Sequence, residues 1–209
     1  MEIATPHGPA RVELDEVADP GLLLVLTHGA GGGVDAPDLL AVRDAVLPLG
    51  VAVARVLQPF RVAGRRVPGS AARQDEAWEA LAADLAARFS GVPLVQGGRS
   101  NGARVACRTA RAVGAQAVVA LAFPLHPPGR PERSRADELR SAGVDVLVVN
   151  GGRDSFGVPD AADAARLMVL PEEGHDLKRA PGRVGEVVAG WLEERFRLRR
   201  REAAACEGR

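Results

Sequence analysis

Short apolar runs alternate with amphipathic segments along this chain, and the alternation predicts a sheet flanked by helices. Continuous apolar runs are typical of buried parallel strands, and apolar side chains recurring every three or four residues are typical of helices. Two short extended pieces in residues 1–16 predict an edge hairpin. Further strands are predicted at residues 22–26, 51–56, 92–95, 117–121, 144–150 and 166–170. Helices are predicted at 39–47, 76–89, 103–112, 136–140 and 184–198, with a loop over 58–70.

Strand and helix alternate without repeats or a linker, which predicts one α/β domain over residues 1–198 with a mostly parallel sheet covered on both faces. Ligands of such sheets bind beyond the carboxyl ends of the strands. Four of the predicted strands lead there into polar or glycine-rich loops, which carry residues 28–33, Ser100, Asp154 and His175. The pattern therefore predicts a functional site at this edge of the sheet.

The segment from Gly98 to Gly102 has the form Gly-x-Ser-x-Gly between a predicted strand and a predicted helix. A serine at such a turn adopts a strained backbone, and the flanking glycines let strand and helix pass closely. The turn exposes the hydroxyl of Ser100, the predicted nucleophile. It also aims the backbone N–H of Asn101 towards an oxyanion beside that hydroxyl. The alternative is a glycine-rich turn without chemistry.

A serine hydroxyl needs a base to take its proton, and that base is usually an imidazole held by a carboxylate. The chain has four histidines. His7 lies in the N-terminal turn, His28 precedes the glycine run, and His126 lies between prolines. His175 follows the last predicted strand and completes the chain order serine, acid, histidine that one class of hydrolases uses. His175 is therefore the predicted base, with a structural or surface role as the alternative.

The acid is predicted to be Asp154, because it lies in the loop that ends the preceding strand. Its alternative role is an Asx-type turn or a helix cap. Two other aspartates fit less well. Asp145 lies within a predicted strand, and Asp176 is adjacent to His175 in sequence, where side chains rarely form this hydrogen bond.

The glycine run after His28 is predicted to place a second backbone N–H, that of Ala30, opposite the N–H of Asn101 to complete an oxyanion hole. A flexible turn without this role is the alternative. The run lacks the spacing of phosphate-binding and dinucleotide-binding loops. No pair of histidines shares a helical face, so neither a metal nor a cofactor is predicted.

Charge and composition narrow the range of functions further. Lys and Arg number 27, as do Asp and Glu, so a formal net charge of zero indicates no general attraction to nucleic acid or to an anionic membrane. The longest apolar run, residues 117–125, is too short to span a bilayer. The first residues do not look like a secretory leader, and a cytoplasmic protein is expected. Cys107 is predicted to be buried and Cys206 to lie in a flexible tail, 199–209, so no disulfide is expected.

Five ordered motifs resemble those of the small α/β-hydrolases related to dienelactone hydrolase. Within that group the likeness is strongest to bacterial proteins that also resemble a subunit of a eukaryotic histone-acetyltransferase complex. Dienelactone hydrolases carry a cysteine nucleophile where this chain has Ser100. The motifs are HGAGG at 28–32, GRSNG at 98–102, PLHPPG at 124–129, GRDSFG at 152–157 and GHDLK at 174–178.

The resemblance implies a three-layer α/β-hydrolase fold with little or no lid, and the roles of Ser100, Asp154 and His175 as nucleophile, acid and base. It implies a serine hydrolase acting on a small ester or thioester, with a small-molecule acyl substrate and no cofactor. An acyltransferase and a catalytically idle binding or scaffolding protein stay open, as does a homodimer. Candidate pocket residues are His28, Gly29, Arg99 and His126; other loop arginines that could bind a substrate carboxylate or phosphate, or simply be solvated, are Arg61, Arg65, Arg66 and Arg130.

Overall fold

The computed structural model describes residues 1–198, and the tail predicted at 199–209, with Cys206, lies outside the described residues. Eight strands are described: β1 (Glu2–Ile3), β2 (Ala10–Asp15), β3 (Leu22–Thr27), β4 (Val51–Leu57), β5 (Leu94–Arg99), β6 (Ala117–Leu121), β7 (Asp145–Gly151) and β8 (Arg166–Leu170). The helices are α1 (Pro37–Val46), α2 (Pro59–Val62), α3 (Ala71–Arg88), α4 (Asn101–Thr109), α5 (Ala136–Arg140) and α6 (Pro181–Phe196). Short 3-10 turns cover Leu47–Leu49 and Ala161–Asp163.

The eight strands form one sheet in the order β1-β2-β4-β3-β5-β6-β7-β8. β1 pairs with β2, and β2 with β4, in antiparallel fashion, while all the other neighbouring pairs are parallel. The edge hairpin and the mostly parallel sheet predicted from the sequence are therefore confirmed. The carboxyl ends of β3 to β8 meet at one edge, and the predicted site residues follow these ends.

Helices cover both faces of the sheet. Successive side chains of a strand point to opposite faces, so a strand between two helical layers is apolar throughout. In β3, Leu23 and Val25 belong to the core cluster shared with α3, α4 and α5, whereas Leu24 and Leu26 belong to the cluster shared with α1 and α6. This arrangement gives three layers and confirms the predicted fold class.

The predicted loop over residues 58–70 is wrong at its start, where α2 (Pro59–Val62) forms a single turn. Helix α3 also begins five residues earlier than predicted, at Ala71 rather than at residue 76. The reason is an N-cap: the hydroxyl of Ser70 accepts a hydrogen bond from the N–H of Arg73 at 3.4 Å. The polar first turn of α3 hid this start from a search for apolar periodicity.

The strand predicted at residues 92–95 is placed too early, because β5 runs from Leu94 to Arg99 and includes two glycines of the serine motif. Those glycines are paired with both neighbouring strands, Gly97 with Leu26 and Val119 and Gly98 with Thr27. Sheet pairing thus overrides the low strand propensity of glycine. Ser100 consequently lies directly at the end of a central strand.

The carboxyl edge carries no separate lid in the described part of the chain, since residues 122–135 form a loop that leads directly to α5. Within residues 1–198, no helix combines the length and apolar character needed to cross a membrane. Cys107 is fully buried in α4, as predicted.

Candidate active site

Ser100 occupies a sharp turn between β5 and α4. Its backbone has φ of 53° and ψ of −113°, a left-handed conformation that a residue with a side chain rarely adopts. Its N–H donates to the carbonyl of Leu121 in β6 at 2.9 Å, which fixes the turn to the neighbouring strand. The strained serine turn that the motif predicts is therefore present.

Two glycines make this turn sterically feasible. A Cβ at Gly98 would lie 2.7 Å from the carbonyl oxygen of Thr27, and one at Gly102 would lie 2.8 Å from the carbonyl oxygen of His28. Both oxygens belong to the backbone, so they cannot swing aside as a side chain would. The spacing Gly-x-Ser-x-Gly thus reflects the close approach of β3 to the β5–α4 turn.

The side chains of Ser100, His175 and Asp154 form a continuous hydrogen-bonded chain. The Nε2 of His175 lies 2.8 Å from Oγ of Ser100, and its Nδ1 lies 2.8 Å from Oδ2 of Asp154. A carboxylate only accepts, so Nδ1 carries the imidazole proton and Nε2 is left to accept the serine proton. The structure brings the three predicted residues together from the ends of β5, β7 and β8.

Asp154 is held in place by groups that the sequence alone did not single out. Its side chain is fully buried. Its Oδ1 accepts the N–H of Phe156 at 2.8 Å, and the amide of Asn150 approaches Oδ2 at 3.4 Å. Asn150 in turn accepts the N–H of Phe123 at 2.8 Å. An amide directly after the apolar run of β7, residues 146–149, is the sequence signal that could have pointed to this role.

Phe156 also covers the imidazole of His175, with ring centroids 4.2 Å apart and planes 30° from parallel. His126 packs on the same loop: its backbone N–H donates to the carbonyl of Phe156 at 2.9 Å, and its imidazole ring lies against Gly157. The side chain of His175 stays 23% exposed. His126 therefore contacts the segment of Phe156 and Gly157, which follows Asp154 and covers the imidazole of His175.

The two amides predicted to hold an oxyanion are those of Ala30 and Asn101. In the structure as described, for residues 1–198, neither N–H donates to a protein acceptor. Gly29 lies close to the serine, since a Cβ there would come within 3.2 Å of Ser100 Cβ. The side-chain amide of Asn101 donates to Oε1 of Gln74 at 2.7 Å, which leaves its backbone N–H free of its own side chain. The oxyanion role of both amides stays a prediction.

His28 lies behind the glycine loop rather than in a pocket. Its Nε2 accepts the N–H of Gln58 at 3.0 Å, and its Nδ1 lies 2.7 Å from the carbonyl of Gly29. The ring is fully buried, and this burial lowers its pKa to about 4. In the structure, the neutral imidazole of His28 links the end of β3 to the end of β4. The expectation that His28 lines the pocket is therefore wrong.

The guanidinium of Arg99 connects the serine turn to two neighbouring segments. Its Nε lies 3.1 Å from Oδ2 of Asp38 in the first turn of α1, and its Nη2 donates to the carbonyl of His175 at 3.1 Å. Asp38 is fully buried, and burial raises the pKa of its carboxyl to about 6, although the charge of Arg99 opposes the rise. Arg99 was expected in the pocket, yet these contacts engage it in an ion pair with Asp38 that no sequence motif indicates.

A second buried carboxylate orders the loop that carries His175. Glu173 is 2% exposed, and its carboxylate accepts the N–H groups of Arg179 and Ala180 just before α6. Its backbone carbonyl accepts the N–H of Arg153 at 2.9 Å, which links the histidine loop to the loop of Asp154. No group of three His, Cys, Asp or Glu side chains in the described part of the chain could hold a metal ion.

The sheet order, the strained serine turn and the sequence order serine, aspartate, histidine define an α/β-hydrolase. A family model described as "Alpha/beta hydrolase domain" matches residues 20–186, and the chain belongs to this family. A comparison with curated proteins gives no match.

Solved structures share the fold at low identity. Est1E from Butyrivibrio proteoclasticus with ferulic acid bound has a TM-score of 0.76 at 18% identity, covering 94% of this chain and 99% of that chain. A serine hydrolase without a lid from Xanthomonas campestris has a TM-score of 0.70 at 20% identity, covering 93% of each chain. A dienelactone hydrolase from Anabaena variabilis has a TM-score of 0.75 at 16% identity, covering 93% and 95%. These likenesses show the fold and extend to lidless relatives.

Proposed function

We propose that this protein is a serine hydrolase that cleaves a small ester or thioester through an acyl-enzyme intermediate. One observation carries the proposal: the hydrogen-bonded chain from Asp154 through His175 to Ser100, with both distances at 2.8 Å. Ser100 is the nucleophile, His175 the general base and then acid, and Asp154 the group that orients the imidazole.

In the first half of the reaction, Ser100 Oγ bonds to the acyl carbon while its proton passes to Nε2 of His175. The carbonyl electron pair moves onto oxygen, which the N–H groups of Ala30 and Asn101 stabilise. The bond to the leaving group then breaks, and the imidazolium gives its proton to the departing alkoxide or thiolate. Water repeats the sequence on the acyl-enzyme, and the acid is released with Ser100 restored.

Two further observations support this assignment. The backbone N–H groups of Ala30 and Asn101 donate to no protein acceptor among the described residues, and Gly29, next to Ala30, lies close to Ser100, so both amides are available as oxyanion donors. The relative Est1E was solved with ferulic acid bound, which supports a small-molecule acyl substrate for this protein. We also propose a likeness to bacterial proteins that resemble a subunit of a histone-acetyltransferase complex. Because that protein is part of a complex, a non-catalytic binding role is the second candidate function to test.

A fluorescent fluorophosphonate probe tests the proposal, because it reacts only with an activated serine. We expect the wild type to be labelled, Ser100→Ala and His175→Ala to lose labelling, and Ser90→Ala, at an exposed serine in the same chain, to retain it. Circular dichroism and thermal melting establish that each variant is folded. A folded wild type that is neither labelled nor active on short esters, thioesters and lactones would overturn the hydrolase and favour the binding role. Product analysis with added alcohol or amine acceptors separates hydrolysis from acyl transfer.

A further inference from the structure

A cleft of about 170 Å³ opens between the start of β2, the end of β4 and the first turns of α3. Its floor is apolar and buried: no side chain there exceeds 5% exposure. Cavities of about 150 Å³ with apolar walls accept a benzene-sized guest, so the cleft has room for one ring or a short chain. The floor consists of Ala10, Val56, Ala77, Trp78 and Leu81.

The rim of the cleft is polar. Arg65 and Arg73 are exposed there, and His7 is held by Glu76 with its Nε2 2.5 Å from Oε2. Water solvates exposed guanidinium groups, so the two arginines do not require a negative charge on a bound molecule. The apolar floor is the part of the cleft that favours a ligand over water.

Two glutamines of the cleft wall contact the two segments that carry the proposed oxyanion donors. Gln74 accepts the side-chain amide of Asn101, the residue that follows the nucleophile. Gln58 donates its N–H to His28, two residues before Ala30, and its side chain donates to Thr27 at 3.1 Å. The wall of the cleft therefore contacts both segments that carry the proposed donors for the carbonyl oxygen of an acyl group.

The sheet order decides which part of a substrate this cleft would take. The cleft lies on the β4 side of the central strand β5, whereas His175 follows β8 and approaches Ser100 from the opposite side. The leaving group must face His175, which protonates it, so the acyl chain points the other way. This direction, away from His175, leads towards the cleft.

We propose that the cleft binds the acyl group of the substrate as an uncharged apolar chain or single ring of up to about six carbon atoms. The proposal rests on the serine hydrolase function proposed above and names the substrate class for it: short- to medium-chain or aryl esters and thioesters. Longer chains exceed the volume of the cleft, and acetyl groups leave its floor unfilled.

A chain-length series of 4-nitrophenyl esters, from acetate to decanoate, tests this assignment. In the wild type we expect kcat/KM to rise by up to about fourfold for each methylene buried, as far as the hexanoate, and no further. Ala63→Phe, at an exposed position of the rim, and Ala77→Leu, in the floor, should each lower the hexanoate-to-acetate ratio of kcat/KM at least about tenfold, equivalent to losing two buried methylenes. Ala83→Leu, an exposed position of the same helix outside the cleft, should leave the ratio unchanged.

Active-site concentration is fixed by probe titration, so that partial misfolding of a variant does not imitate a change in specificity. Ala63 is exposed, and its replacement keeps the test valid if Ala77→Leu fails to fold. A ratio that is equal within about twofold in the wild type and Ala63→Phe, or a rate that climbs unbroken to the decanoate, overturns the cleft assignment while leaving the hydrolase intact. A folded wild type that neither reacts with the probe nor hydrolyses the acetate overturns both.

Discussion

Arg99 and Asp38 form an ion pair from which water is largely excluded: Nε lies 3.1 Å from Oδ2, with the side chains 15% and 0% exposed. Neither carboxylate oxygen of Asp38 finds a hydrogen-bond donor with good geometry among the described residues, so the charge of Arg99 is its principal compensation. Since Arg99 also holds the carbonyl of His175, this pair links α1 to the serine turn and the histidine loop.

Replacement of Arg99 by glutamine should leave the Asp38 charge buried without a partner. We expect the free energy of unfolding, measured in urea at pH 7.5, to fall by about 3–5 kcal/mol. Adding Asp38→Asn to this variant removes the stranded charge and should restore most of the loss. Arg153→Gln is the control, because Arg153 pairs with Glu172 at the surface and its loss should cost below about 1 kcal/mol. Equal losses of unfolding free energy for Arg99→Gln and Arg153→Gln would show that the buried ion pair stabilises the protein no more than the surface pair does.

Asp154→Asn should retain the shape of the site while changing its hydrogen bonding. An amide can donate to Nδ1 and so favour the wrong tautomer of His175, and we expect kcat for an active ester to fall by about 10⁴. Asp176→Asn provides the matched control, since Asp176 neighbours His175 in sequence but pairs with Lys178. Its kcat should stay within about twofold of the wild type. A loss of less than tenfold in Asp154→Asn would remove Asp154 from the proposed mechanism.

Gly102→Ala tests the close approach of β3 to the serine turn. The added Cβ would meet the carbonyl oxygen of His28 at 2.8 Å, so we expect a loss of about 1–3 kcal/mol in unfolding free energy, together with slower probe labelling. Gly190→Ala, at an open position of α6, should instead stabilise the protein by about 0.5–1 kcal/mol through helix propensity. Opposite signs in thermal melts of the two variants are the expected result, and stabilisation by both would refute the steric explanation.

His28 makes the stability of the protein depend on pH. In the unfolded chain its imidazole binds a proton below about pH 6.5, whereas burial lowers its pKa in the folded state to about 4. The unfolded state therefore holds more protons between these values, and the folded state loses about 3 kcal/mol as the pH falls through this window. The stability supplied by the neutral ring is fully present above pH 6.5.

His28→Gln isolates this effect, because glutamine can still accept the N–H of Gln58 but does not titrate. Urea unfolding at pH 7 and pH 4 should show the wild type losing about 3 kcal/mol more than the variant. The raised pKa of Asp38 acts in the opposite direction, but it is present in both proteins and cancels in the difference. Parallel pH dependence in wild type and variant would contradict a buried neutral His28.

The layers of the fold and the order of the site residues along the chain could be predicted from the sequence, because both depend on local sequence patterns. Apolar runs such as β3 mark buried strands, and glycines on both sides of Ser100 mark the turn. The hairpin, the parallel sheet and the proximity of Ser100, Asp154 and His175 follow from these patterns together with the rule that ligands bind beyond the carboxyl ends of the strands.

The contacts of Arg99 and His28 could not be predicted in the same way. Both residues lie in glycine-rich motifs, where a polar side chain suggests a pocket, yet both pair with residues distant in sequence, Asp38 and Gln58. Such pairing depends on how α1 packs beside the serine turn and how β4 pairs with β3. The first turn of α3 escaped prediction for a simpler reason, since its start depends on the cap at Ser70 rather than on apolar spacing.

Phe156 binds Asp154 with its backbone and stacks on His175 with its ring, so a single residue touches both the carboxylate and the imidazole. A displacement of this loop would therefore disturb both groups in one event. We therefore expect the reactivity of the site to be lost cooperatively, when the 154–157 turn is displaced as a unit, rather than residue by residue. As temperature or denaturant concentration rises, probe labelling should therefore be lost in a single steep transition. That transition should precede global unfolding or coincide with it.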